Sequence, residues 1–200
     1  MSLFPADYER LRELILHVSQ RCRDWERFDS AMLDRLLFQA DFQHFLRYGF
    51  PITGQAYRRG ILSPAPRSMR PVLRDMIAAG SLEIVEVQHP DGLHARCLPR
   101  ALREPNLRIF DGREIALVET VILFYRRTWD PDTGEDMLIL PWEAARPREE
   151  IPYQLALLGS LSNSSAGSDR YGQTGLHGTA RPVLSHDMRK LAQHSLILAS

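Results

Sequence analysis

Asp41 and His44 stand one helical turn apart in the stretch LLFQADFQHFLRY, where a carboxylate and an imidazole share one helix face. Such a pair can ligate a metal or pass a proton. No third ligand follows at a metal-site spacing, so an internal hydrogen bond or a partner contact is the competing expectation. A second acid-rich run, Asp130-Pro131-Asp132-Thr133-Gly134-Glu135-Asp136, resembles half of a calcium loop. It lacks the spacing and distal glutamate of an EF-hand, and Pro131 breaks the alternation of ligands, so an acidic turn is expected. Cys22 and Cys97 are too few for a disulfide framework or a zinc site. The nucleophile elbow, the phosphate-binding glycine loop and the HExxH zinc helix are absent, and the histidines are scattered. These observations point to a non-enzymatic protein with no cofactor and no metal.

The elements that must position Asp41 follow from periodicity. Tyr8, Leu11, Ile15, Val18 and Cys22 recur at helical spacing from Asp7 to about Arg23, with Pro5 and Asp7 as start signals. Trp25 and Phe28 are expected to fold back into the core. Ser30 can cap a second helix that ends at Gly49 before Pro51. Its apolar residues cover more than half its circumference, so it should pack on more than one side. A turn at Gly54 leads into an extended Gln55-Ala56-Tyr57, and Pro64 and Pro66 hold the next segment extended. Ser68 is the expected cap of a helix with Met69, Val72, Leu73, Met76 and Ile77 as its buried stripe, closed by Gly80. Leu82–Gln88, a His89–Gly92 turn and Leu93–Leu98 read as a β-hairpin. Asp111 and Glu114 form a capping box before a helix to about Arg127 with an apolar face from Ile115 to Tyr125. Trp142 and Ile151–Leu158 suggest one more small helix.

The expected class is therefore α+β and mostly helical: a winged-helix-like core (helix, helix, strand, helix, hairpin) followed by C-terminal helices. One domain spans 7–158. Residues 159–200 are rich in Ser and Gly, too polar to offset their ordering entropy by burial, and are expected to be flexible, with a short helix over Ser185–Ala199. The 25 basic and 25 acidic residues cancel, which disfavours a general nucleic-acid-coating role. Locally, Arg58, Arg59, Arg67, Arg70 and Arg74 precede any acid until Asp75. The start of the chain has no signal-peptide core, and no apolar run reaches the roughly 18 residues a membrane span needs. A cytoplasmic protein without membrane contact is expected.

Three segments in order, Leu36-Leu37-Phe38-Gln39-Ala40-Asp41-Phe42, Pro51-Ile52-Thr53-Gly54-Gln55-Ala56-Tyr57 and Pro64-Ala65-Pro66-Arg67, closely resemble the Panacea domain, also called the SocA-like antitoxin domain. Glu114–Val121 and Ile151-Pro152-Tyr153 look like the family's C-terminal half. The chain departs from the family pattern at Ser63, where the family has glycine, at Gly60, where it has a hydrophobic residue, and over WDPDTGED. The resemblance implies a prokaryotic or phage antitoxin that neutralises a cognate protein toxin by direct binding. The family also includes an adaptor that delivers its toxin to a protease. The matched positions Asp41, Tyr57, Pro64, Pro66 and Arg67 become candidate partner-binding residues; each has a competing role in shaping the arm and the proline corner. The alternative is a winged-helix DNA-binding regulator with Ser68–Ala79 as recognition helix and Arg58, Arg59, Arg67, Arg70 and Arg74 meeting nucleic acid. An enzyme built around Asp41 and His44 ranks last.

Overall fold

In the computed structural model, residues 4–60, 63–88, 95–129, 145–146 and 148–157 are described. They form a mixed α+β fold of four helices and two small antiparallel sheets. The expectations for residues 130–144 and 158–200 (the acidic turn, Trp142, the tail and its terminal helix) and for the His89–Gly92 turn lie outside the described residues.

Helix α1 (Tyr8–Arg21) begins at Asp7, whose side chain accepts from the Arg10 N–H. Helix α2 (Ser30–Tyr48) is capped by Asp29, not by Ser30: the Asp29 carboxylate accepts from the Met32 N–H. Ser30 falls one position inside the helix, and its hydroxyl donates to Cys97 O at 2.9 Å. Gly49 ends α2 in the left-handed conformation, as its position after the last apolar turn predicts. Strand β1 (Tyr57–Arg59) pairs antiparallel with β2 (Pro64–Pro66) on one side and with β5 (Glu150–Ile151) on the other. Ile151 thus enters a strand where a helix was expected. The helical segment that follows is a single 3-10 turn, Tyr153–Leu155.

Helix α3 (Met69–Ala78) buries Met69, Val72 and Met76, whereas Ile77 at the edge of the stripe stays 45% exposed. Ser68 makes no cap bond; its hydroxyl turns back to Gln55 Oε1 at 2.5 Å, tying the helix start to the arm. Strands β3 (Leu82–Gln88) and β4 (Ala95–Ala101) form the hairpin in a single register from Leu82↔Ala101 to Gln88↔Ala95. Helix α4 (Gly112–Thr128) carries the predicted capping box of Asp111 and Glu114.

Helix α2 separates two cores, which is why apolar residues cover more than half its circumference. On one side, Leu33, Leu36, Leu37 and Ala40 meet α1, α3 and α4. On the other, Phe38, Phe42 and Phe45 pack with Tyr57, Ile151 and Tyr153. Phe28 is buried and Trp25 lies against the first core, as expected. The larger core is pinned by ion pairs. Arg10 meets Glu114, and Glu13 takes Arg103 at 2.5 and 2.9 Å together with the Asn106 N–H at 2.7 Å. Arg103 beside it holds the Glu13 carboxyl below its ordinary range despite burial.

Candidate functional site

The second core is organised around one carboxyl group. Asp41 projects from α2 and is completely buried. Its Oδ1 accepts from the Thr53 N–H at 2.7 Å; its Oδ2 accepts from the Thr53 hydroxyl at 2.5 Å and the Tyr57 hydroxyl at 2.9 Å. The Tyr153 hydroxyl lies 3.3 Å from the same oxygen and donates to Gln55 O at 2.7 Å. Burial pushes the Asp41 carboxyl up, opposed by the donors from Thr53 and Tyr57. Burial and the neighbouring Asp41 push both tyrosines above their ordinary range.

The local sequence explains the geometry. Gly49 and Pro51 reverse the chain after α2, and Gly54 takes a positive φ of 66°, which puts Thr53 directly over Asp41. The N-terminal segment closes this arm from outside, with the Asp7 N–H donating to Thr53 O at 2.8 Å. His44 does not join Asp41. Its Nδ1–H donates to Phe50 O at 2.7 Å, and its ring packs at a tilt against Tyr48 and edge-on against Phe50, so it secures the reversal. The pair proposed from spacing shares a helix face but no hydrogen bond. Among the described residues no three His, Cys, Asp or Glu side chains gather as a metal site.

Of the matched positions, Asp41 and Tyr57 are interior, and Pro64 and Pro66 are buried in the strand that packs on α2. Asp41 and Tyr57 have no exposed surface and meet no partner in this conformation, whereas Pro64 and Pro66 shape the strand beside a groove that Pro66 also lines. Arg67 alone of the five is exposed. Its N–H donates to Ala56 O at 2.8 Å, which fixes the backbone while the guanidinium stays in solvent. The arginines divide as well. Arg58, Arg67, Arg70 and Arg74 are exposed; Arg74 lies 3.7 Å from Asp75, and Arg59 is partly buried with its guanidinium donating to Ala145 O at 2.5 Å. Arg59 therefore ties β1 to the chain entering β5 and leaves the set available to nucleic acid.

Arg58, Arg67 and Arg70 line one groove between α2, the β1–β2 pair and α3, with a volume of about 360 Å³. Leu33, Pro66, Met69 and Leu73 give it an apolar floor, and Asp34 stands in its wall. Sequence reading missed Thr53, Tyr153 and Asp34 as contributors. Thr53 and Tyr153 stand inside segments that carried the family resemblance, whereas Asp34 had no signal beyond being a charged residue on a very apolar helix.

Compared with protein-family models, curated proteins and solved structures, the chain gives no match. No helix among the described residues is long and apolar enough to cross a membrane.

Proposed function

We propose that the chain is a toxin-neutralising binding module of the Panacea, SocA-like antitoxin kind, acting in the cytoplasm by direct contact with a cognate protein toxin. The observation that carries this reading is the convergence at Asp41. The helix, the arm and the C-terminal segment that resemble the family are far apart in sequence, yet Asp41, Thr53, Tyr57 and Tyr153 close on one carboxyl group. The proline corner runs beside them as β2, with Tyr57 opposite Pro66. A motif whose members all support one frame is a structural unit, and such a unit serves to present what lies outside it. Here that is the arginine-rimmed groove. Arginine at a rim and apolar side chains beneath it is the composition of a protein-binding surface.

The test is co-expression. The product of the adjacent gene is expressed alone and together with this chain, with growth and co-purification scored. Rescue with a stable complex is the expected result. Rescue with loss of the toxin and no complex indicates delivery to a protease. A harmless neighbour that forms no complex overturns the reading.

A second reading has one observation in its favour: Arg67, Arg70 and Arg74 are exposed on or beside α3, and a hairpin follows that helix, as in a winged-helix DNA-binding regulator. In this reading α1, α2, β1, α3 and the hairpin form the core. Against it, β1 is hydrogen-bonded to β2 and β5 and not to the hairpin, and the chain is neutral overall. The reading requires duplex binding that weakens steeply with salt, because each neutralised phosphate releases counterions.

A further inference from the structure

Arginines line three clefts of the described structure, and in two of them their charge is already taken. In the cleft between the N-terminal segment and the Phe50–Gly54 turn, Arg10 is paired with Glu114. In the cleft beside Leu102, Arg23 meets Asp24 at 3.3 Å, Arg100 meets Glu83 at 3.5 Å, and Arg103 is held by Glu13. The groove between α2, β2 and α3 differs. Among the described residues, Arg58, Arg67 and Arg70 make no ion pair and no side-chain hydrogen bond. They rise around an apolar floor, and no acid follows them in sequence until Asp75.

We propose that this groove binds an extended acidic segment of a partner protein, one in which an apolar side chain enters the floor and flanking carboxylates meet Arg58, Arg67 and Arg70. The inference rests on the reading of the chain as a partner-binding module and adds the surface and the chemistry of what it receives. Charge complementarity selects the acid, since a guanidinium holds a carboxylate through paired N–H donors. Pro66, Met69 and Leu73 select the apolar residue.

Asp34 selects a peptide over a phosphate backbone. Its Oδ1 is buried with no hydrogen-bond partner, and burial, with Asp29 nearby, pushes its carboxyl up to about 7. A carboxyl group left without a donor is unfavourable in the empty groove. An amide N–H from an extended guest supplies a donor to that oxygen, and a phosphodiester has no N–H to offer. The dimensions agree. About 360 Å³ takes one or two side chains.

The probe is a fluorescein-labelled octapeptide alternating leucine and glutamate, titrated with the full chain and followed by anisotropy. A glutamine-for-glutamate version and a labelled DNA duplex run beside it. The expected result is saturable binding of the acidic peptide with a Kd below about 1 mM, at least about tenfold weaker binding of the glutamine version, and loss of binding in Arg58→Glu/Arg67→Glu/Arg70→Glu. Arg108→Glu, on an exposed turn elsewhere, should bind as the parent does. Leu73→Asp, which alters the floor without touching the rim, should also weaken the peptide at least about tenfold. Circular dichroism confirms that each variant is folded.

No saturation by the acidic peptide, equal affinity for the glutamine version, or unchanged binding by a folded triple variant each overturns the proposal. Tighter binding of the duplex, lost in the same triple variant, overturns it in favour of nucleic acid. The proposal and the antitoxin reading fail separately. Peptide binding without rescue in co-expression leaves the groove and removes the toxin. Rescue that survives the triple substitution leaves the toxin and removes the groove.

Discussion

The hydroxyl groups around Asp41 and its burial pull its protonation in opposite directions. Tyr153 has one hydroxyl proton, and Gln55 O takes it at 2.7 Å, so the 3.3 Å approach of that hydroxyl to Asp41 Oδ2 is favourable when the carboxyl carries the proton. Burial favours the same neutral form, while the Thr53 and Tyr57 donors oppose it. Asparagine imitates a neutral aspartic acid in shape and can offer both an acceptor and a donor. Asp41→Asn is therefore expected to lower stability by no more than about 1 kcal/mol in urea denaturation. Asp41→Ala should cost about 3 kcal/mol, because it strands the Thr53 N–H and leaves two buried hydroxyls short of a partner. Equal losses for the two variants would contradict a neutral Asp41. Sequence reading singled out Asp41 but paired it with His44, three residues away. The partners the fold supplies are 12, 16 and 112 residues distant, and spacing along a helix carries no information about contacts of that kind.

Elements with a local cause were legible, and those held by distant contacts were not. The capping box before α4, the left-handed end of α2 and strand β3 each follow from a few neighbouring residues and appear where the sequence puts them, whereas β4 runs past the expected end at Leu98 to Ala101. Ser30 and Ser68 suit a cap equally well by type, yet the fold draws both hydroxyls into longer-range bonds, to Cys97 and Gln55. Ile151 looked helical because its neighbours are apolar, and β1 claims it as a strand because the arm offers an open edge. The arm itself depends on Gly54. A Cβ there would lie 2.3 Å from Pro5 O, in addition to the strain of a positive φ. Gly54→Ala should therefore lift the N-terminal segment away, break the Asp7–Thr53 bond and cost at least about 2 kcal/mol by urea denaturation, with faster amide exchange at Asp7. Unchanged protection of that amide would show that the arm does not depend on this close approach. Gly60 is constrained in a similar way: a Cβ there would lie 2.3 Å from Ser63 O.

At the scale of the whole molecule, α2 is shared by both cores, so the aromatic cluster and the helical cluster should be lost together. The two cysteines report on this. Cys22 is fully buried in the larger core, and burial pushes its thiol up to about 12, while Cys97 on β4 is only half-buried. With a thiol-reactive probe at neutral pH, Cys97 should label in the native protein. Cys22 should label only as the chain unfolds, with a urea dependence matching the global transition. Labelling of Cys22 well below that transition would show that the larger core opens alone. The two-core plan was foreshadowed by apolar residues covering more than half the circumference of α2, but the assignment of Tyr57 and Tyr153 to one of those cores was not, since it requires β5 to come back beside β1. That three-stranded sheet ends at β2, where Ala65 faces Arg58 between two prolines. A proline brings no amide hydrogen, so in the register that hydrogen-bonds Ala65 to Arg58 the opposite side of β2 presents carbonyl oxygens alone. An incoming strand needs donors as well as acceptors. The corner that frames the groove thus also terminates the sheet chemically, and a second copy of the chain finds no template there for fibrillar growth at high protein concentration.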